Sequence, residues 1–478
     1  MKDILITQIP GSRVWLVGLL LLLLCALGVA SGRAVKTHKS YLSSWGQSGR
    51  IVTVGGLMAV ALGGGSIIGS AQVAYVYGFD AVWFGFGMAL GVTLLMVIQV
   101  KPTRDRGGVT ANGLISQHFG ARIGQTAAIV SSLCVIPSAV SQMSSAGILI
   151  NFIFQIPTTL AVSIGGIIML CVVLLGGLKG AELIGIIKTA VFLVILPTCV
   201  AIIAFGFDGF PLIDQTLPHD VYYDFFSRGI LRNICNGVGI GTGMLAVQAN
   251  FLPLLAARSE KVAKQSCMIT AAAMVIAALC GCAIGMFMRC VAPALDPSKA
   301  FLTFVLNYLP PVVGEMVIAV LFITVASSGA SLFLGISTAF MRDVLGKRLR
   351  DTSEEKKLKL SRILVLLPLL VCYLLTLAGE GMMIVDWSFI SSALRSSCFL
   401  LPLLLSVYQR RSVTSPRHAA LAIVLGPVAA LGGYLMGWEA LPSGLLISAL
   451  ILLAGLRKAP HPRDHLEEAT HCGHPSPQ

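Results

Sequence analysis

Residues 51–78 read IVTVGGLMAVALGGGSIIGSAQVAYVYG, an apolar run with Gly63-Gly64-Gly65-Ser66 near its middle. A bilayer core of roughly 30 Å needs about 20 apolar residues in a helix, so the run is long enough to cross. Each glycine weakens a helix by roughly 1 kcal/mol relative to alanine, and three stand together here. Unwound backbone inside a membrane is tolerated only where protein or a water-filled cavity satisfies it. The stretch therefore predicts a broken membrane helix with a cavity at the break. A second interruption follows at Gly237, Gly239, Gly241 and Gly243, preceded by Asn233 and Asn236. The two lie five apolar spans apart, as two five-helix repeats would place them. An odd repeat length inverts one half relative to the other, and paired breaks point to a solute and ion site near the midplane. Neither run is a nucleotide loop, because no strand precedes it.

Composition agrees. Of 478 residues, 56% are hydrophobic and 12% charged, about half the roughly 25% charge of a soluble domain. Mean hydropathy is +0.87. These values exclude a soluble enzyme, a disordered chain and a nucleic-acid binder. About thirteen apolar segments are expected, centred near Leu22, Gly64, Leu90, Pro137, Gly166, Phe192, Gly243, Met274, Ser327, Leu369, Arg395, Gly426 and Ile447. The loops between them alternate in charge. Basic clusters such as Lys101, Arg104, Arg106 and Lys347, Arg348, Arg350 face acidic ones such as Asp208, Asp214, Asp220. By the positive-inside rule the amino terminus is outside and the tail cytoplasmic, so the net charge of +13 is a topology signal.

The run Val14 to Ala30 is long for a cleaved signal peptide, and the missing N-x-[ST] sequon favours a bacterial plasma membrane. The twelve cysteines sit mostly in apolar runs and are expected as small buried hydrophobes. The organisation expected is an accessory helix and loop over 1–50, five-helix repeats over 51–206 and 207–408, two further helices over 409–458, and a tail over 459–478. The tail's His461, His465, His471, Cys472 and His474 match no closed metal site.

The stretch from Tyr41 to Gly78 resembles the opening of the sodium:solute symporter family. The resembling features are a Tyr and a Gly-Arg before the first core helix, a small-residue break, and the ending Ala74, Tyr75, Gly78. TANGLISQHFGARIG at 110–124, LLGGLKGAELIG at 174–185, LAARSEKVAK at 255–264 and SSGASLFLGISTAFMRD at 327–343 add to the resemblance, which runs in order along most of the chain. It implies an all-α polytopic membrane protein of leucine-transporter type, two inverted five-helix repeats each with a broken first helix. It also implies a sodium site between the first and eighth core helices. Carried over, carbonyls of Ala59, Leu62 and Thr324 and hydroxyls of Ser327 and Ser328 would hold the ion. Sodium is a hard cation suited to such oxygens, and Thr324, Ser327 and Ser328 share one helix face. Serines inside membrane helices more often bond their own backbone.

Two departures matter. Where many family members carry a Thr-Asp and then a Gln in the fifth core helix, this chain has Ile184, Gly185 and Lys188; the Gln-Arg before the LAAR segment is replaced by Pro253 and Leu254. Lys188 lies about two turns into its helix. It either snorkels to the interface, modulates the sodium site, or replaces the ion as a fixed or proton-switched ammonium. Arg395 shares a face with Ser388, Ser391 and Ser392. Acids are scarce at its depth, so it either fastens helices through carbonyls or binds a carboxylate or phosphate bidentately. Gly63, Gly64, Gly65, Ser66, Gln72, Gln142, Ser144, Asn236 and Trp387 complete the candidate solute site.

The expected function is sodium-coupled uptake of a small organic anion or zwitterion by alternating access. Proton-coupled or ion-independent transport through Lys188, or a transporter-like sensor, are the alternatives. A membrane enzyme is not expected, since no metal-ligand cluster or nucleophile–base pair lies in the spans. Partners are the solute and the bilayer, without nucleic acid.

Overall fold

A computed structural model describes residues 48–106, 110–345, 349, 353–379, 381–409 and 414–456. The expected span near Leu22 and the histidine-bearing tail lie outside the described residues. Within them the chain is helical, with no strand; isolated bridges join Ser48 to Ala257 and Thr414 to Leu456.

The first core span is split. Helix α1 (Arg50–Ala61) ends where Leu62 turns extended, at φ −88° and ψ 98°. A π-turn over Gly65–Gly69 leads into α2 (Ser70–Tyr77). Helix α3 (Val82–Leu94) continues through a π-turn at Leu95–Gln99 to Asp105. Next come α4 (Ala121–Phe154) and α5 (Thr158–Ala201). Apolar stretches Thr158–Leu174 and Gly185–Gly206 make the fourth and fifth spans.

The second half starts with α6 (Ile230–Gly243), a 3-10 turn over Met244–Ala246 and α7 (Gln248–Ala256), bent by 58°. Then follow α8 (Glu260–Val291), α9 (Pro311–Ala339), α10 (Glu354–Ala378) and α11 (Ile384–Tyr408). Helices α12 (Pro416–Leu435) and α13 (Ala440–Ala454) pack on each other and on α11.

Among the described residues, eight helices are long and apolar enough to cross a membrane, nine if the bent pair counts as one span. The expected thirteen is not reached by this count: the segment near Leu22 lies outside the described residues, the first span is split at Leu62, and Ala440–Ala454 is short. Helix α9 is central: 94% of its most apolar window is buried, against 22% for α10. The exposed face of α10 carries Ile363, Leu367, Leu370 and Leu374, as a lipid-facing surface requires.

The second interruption is not where the glycines alone place it. Helix α6 runs through Gly237, Gly239, Gly241 and Gly243 and breaks after them, at Met244–Val247. The glycines serve close packing instead. A Cβ on Gly87 would lie 2.6 Å from the Gly237 carbonyl, one on Gly91 3.0 Å from the Gly241 carbonyl, and one on Gly243 2.8 Å from the Ser392 carbonyl. Backbone contact with α3 and α11 outweighs the propensity cost of roughly 1 kcal/mol per glycine.

Candidate functional site

At the first break the chain builds a knot of oxygens around one cation. Lys188 Nζ donates to the Ala59 carbonyl at 2.9 Å, the Leu62 carbonyl at 2.7 Å and Ser328 Oγ at 2.9 Å. Ser328 Oγ also lies 2.9 Å from each of those carbonyls, within donating distance of either. The two carbonyls face this point because α1 ends here and leaves its last C=O groups without helical partners. The ammonium is 1% exposed, so the side chain does not snorkel. Gly185, one turn earlier, lets α5 come this close: a Cβ there would stand 2.0 Å from the Gly55 carbonyl.

Of the five residues expected to hold sodium, Ala59, Leu62 and Ser328 meet at this point. Ser327 does not send its hydroxyl there, and the Thr324 carbonyl, expected as the third carbonyl, accepts from it instead. Thr324 Oγ1 donates to the Val320 carbonyl at 2.7 Å and Ser327 Oγ to the Thr324 carbonyl at 3.1 Å, the back-bonding usual for hydroxyls in membrane helices.

The glycines of the break are held from α4 and from within the break. Gly64 N donates to Gln142 Oε1 at 2.9 Å, and Gly63 N donates to Ser66 Oγ at 2.8 Å. A Cβ on Gly64 would lie 2.0 Å from Ser145 Oγ. Beside Gly65 stand Phe84, Ser141 and Ser388, at 3.1, 3.6 and 3.6 Å from the position of its Cβ. Ser141 Oγ is buried without a partner. Sequence reasoning missed Ser141, which carries no signal beyond lying next to Gln142.

Arg395 is 5% exposed. Its Nε donates to the Ser391 carbonyl at 3.1 Å, and its Nη2 to Ser392 Oγ at 2.7 Å and Ser138 Oγ at 3.3 Å. No ion pair among the described residues involves Lys188 or Arg395. Two buried cations therefore rest on neutral oxygens. The remaining candidates are scattered. Gln72 Oε1 accepts from Ile384 N at 3.1 Å, tying α2 to the first turn of α11. Trp387 packs against Gly379. Asn236 lines a separate cavity of about 320 Å³ with Arg232, Asp386, Tyr434, Trp438 and Glu439. Ser144 is half-buried in α4.

Polar contacts tie the helices together at either end of the bundle. At one end Arg228 bonds Asp80 Oδ1 through Nε and Nη2, each at 2.6 Å, and reaches Asp386 Oδ1 at 3.4 Å. Its guanidinium lies over the rings of Tyr77 and Phe389. Asn233 Nδ2 donates to Asp80 as well. At the other end Ser48 N donates to the Ala256 carbonyl at 2.9 Å and Arg258 N to the Ser48 carbonyl at 3.0 Å, clamping the start of α1 to α7. Arg104 secures the same corner through the carbonyls of Leu254 and Ala257.

A helix bundle whose split first span turns its freed carbonyls onto a buried lysine has the broken-helix build of secondary transporters. The profile of the sodium:solute symporter family matches residues 42–423, and the chain belongs to that family. An uncharacterised symporter, YwcA of Bacillus subtilis strain 168, is 27% identical over 187 residues, 38% of this chain and 36% of that relative. Among solved structures, a Na⁺-coupled sialic acid symporter in a substrate-bound, outward-open state superposes with a TM-score of 0.76 at 15% identity, over 94% of this chain and 97% of that one. MhsT, solved with L-phenylalanine, gives 0.54 at 16% identity, over 86% and 98%. The fold is the leucine-transporter type, and the chain is a multi-pass membrane protein of the sodium:solute symporter family.

Proposed function

We propose that the chain takes up a small organic anion or zwitterion across a bacterial plasma membrane by alternating access, driven by sodium. Its amino terminus is outside and its tail cytoplasmic. The observation that supports this is the convergence of the Ala59 and Leu62 carbonyls and Ser328 Oγ on one cation-sized point. Oxygen donors with aligned carbonyl dipoles suit sodium as well as an ammonium. Sodium takes these oxygens when the Lys188 ammonium withdraws, so the lysine acts as an internal competitor that holds the break when the ion is absent. The Arg395 guanidinium, resting on serines alone, supplies the charge that a carboxylate solute needs. One charge crossing 100 mV releases about 2.3 kcal/mol, and a tenfold sodium gradient adds about 1.4.

A second reading is favoured by the same distances: the ammonium stays, and transport is sodium-independent or proton-coupled. Uptake by proteoliposomes under a sodium or a proton gradient, with a panel of carboxylates, separates the two. Under the first reading Ser328→Ala weakens sodium-driven uptake and Lys188→Ala remains sodium-responsive. Uptake indifferent to sodium and to Ser328→Ala sinks the first reading. Loss of uptake in Lys188→Ala with no sodium response supports the second.

A further inference from the structure

The second break holds two polar side chains whose oxygens neither the helix packing nor the first break uses. Gln99 closes the π-turn of α3, where one extra residue re-aims the chain. Its Nε2 donates to the Leu245 carbonyl at 2.8 Å, on the 3-10 turn between α6 and α7. Asn250, in the first turn of α7, sends Nδ2 to the neighbouring Met244 carbonyl at 3.4 Å. Gln99 is fully buried and Asn250 is 2% exposed. Both side-chain oxygens, Gln99 Oε1 and Asn250 Oδ1, are buried with no donor.

The orientation of each amide follows from its surroundings. Only an NH₂ group can face a carbonyl, so flipping either amide would set oxygen against oxygen. The carbonyls of Met244 and Leu245 at the carboxyl end of α6, where the helix dipole is negative, are already served by these amide nitrogens, and what remains at this turn is two amide oxygens without a donor. A buried acceptor left alone is costly, and it is satisfied by a donor or by a cation. No group of three or more metal-ligating side chains occurs among the described residues, and neutral oxygens alone favour a monovalent ion over calcium, which recruits carboxylates.

We propose that Gln99 Oε1 and Asn250 Oδ1 form part of a sodium site at the second helix break, separate from the Lys188 knot. The inference rests on the sodium-driven reading above and deepens it. It gives the coupling ion a seat while the ammonium of Lys188 keeps the oxygens of the first break. The ion would pin α3 to the turn joining α6 and α7, so its arrival and departure are felt where the second split helix bends.

The test is binding of radioactive sodium to the full chain in lipid nanodiscs, by scintillation proximity, in choline buffer of constant ionic strength. Saturable sodium binding is expected in the wild type. Gln99→Leu and Asn250→Leu are expected to weaken it by roughly tenfold to a hundredfold, the range for a lost bond to a charged group, and Gly432→Ala, with nothing within 4 Å of its Cβ, to leave it within a factor of about two. Asn250→Asp, which keeps the oxygens and adds charge, guards against misfolding as the cause; it is expected to tighten sodium binding. Sodium binding abolished by Ser328→Ala but untouched at Gln99 and Asn250 overturns this site while leaving sodium coupling at the first break intact. No sodium binding in any variant overturns both.

Discussion

Lys188→Ala is the most informative single change. It removes the donor of three bonds, to the Ala59 and Leu62 carbonyls and to Ser328 Oγ. Each bond to a charged group is worth about 1.5–3 kcal/mol net, but removing a buried charge also relieves a burial cost of several kcal/mol. These terms largely offset, and the backbone decides the remainder. Ser328 has one proton and serves one carbonyl at a time, so the other loses its donor at a cost of about 1–3 kcal/mol. In sodium-free buffer the variant should therefore be less stable than wild type by that amount. Sodium can refill the point, and at a hundred times its Kd would restore about 2.7 kcal/mol. The assay is thermal unfolding of purified protein in choline and in sodium at equal ionic strength. The sodium-induced gain should be larger in Lys188→Ala than in wild type. Equal gains in the two proteins would refute the idea that the ammonium and the ion compete for these oxygens.

Other outcomes follow from the same geometry. Arg395→Gln should abolish uptake of a carboxylate solute without lowering folded yield, checked by transport against size-exclusion recovery; equal loss of both would make the residue a helix fastener. Asp80→Asn strands the buried Arg228 guanidinium and should cost about 3–5 kcal/mol, whereas Asp386→Asn, whose longer contact is partly solvated, should cost at most about 1; denaturation in detergent compares them. Gly185→Ala drives a methyl into the Gly55 carbonyl and should depress folded yield sharply, while Gly432→Ala, with nothing within 4 Å of its Cβ, should leave yield unchanged.

Much of the first break was legible in the chain. Three adjacent glycines inside lipid announce unwound backbone, and the serine run at 327–343 announces the facing helix. Ala59, Leu62 and Ser328 accordingly converge. Thr324 and Ser327 share the helix face as their spacing requires, yet the Ser327 hydroxyl turns to the Thr324 carbonyl, because a carbonyl one turn away is always in reach. Lys188 stood out as a departure from a familiar pattern, but whether it reached the interface or the break depended on how closely α5 approaches α1, which Gly185 settles. The glycines of α6 misled for the converse reason. Propensity marks them as a break, but contact with α3 and α11 keeps them helical and moves the bend to Met244–Val247. Asp80 and Arg228, 148 residues apart, carried no mutual signal at all.

The amino-acid sequence by itself determined that this chain is a bundle of apolar helices, that one span must unwind near its run of glycines, and that few charges enter the bilayer. Hydrophobic length and backbone hydrogen-bonding are local demands, met or unmet within one turn of chain. Only the tertiary structure decided which cation meets the freed carbonyls, where the second span bends and which acid Arg228 finds. Those outcomes hang on distances between segments far apart in sequence, where a single missing Cβ permits or forbids contact.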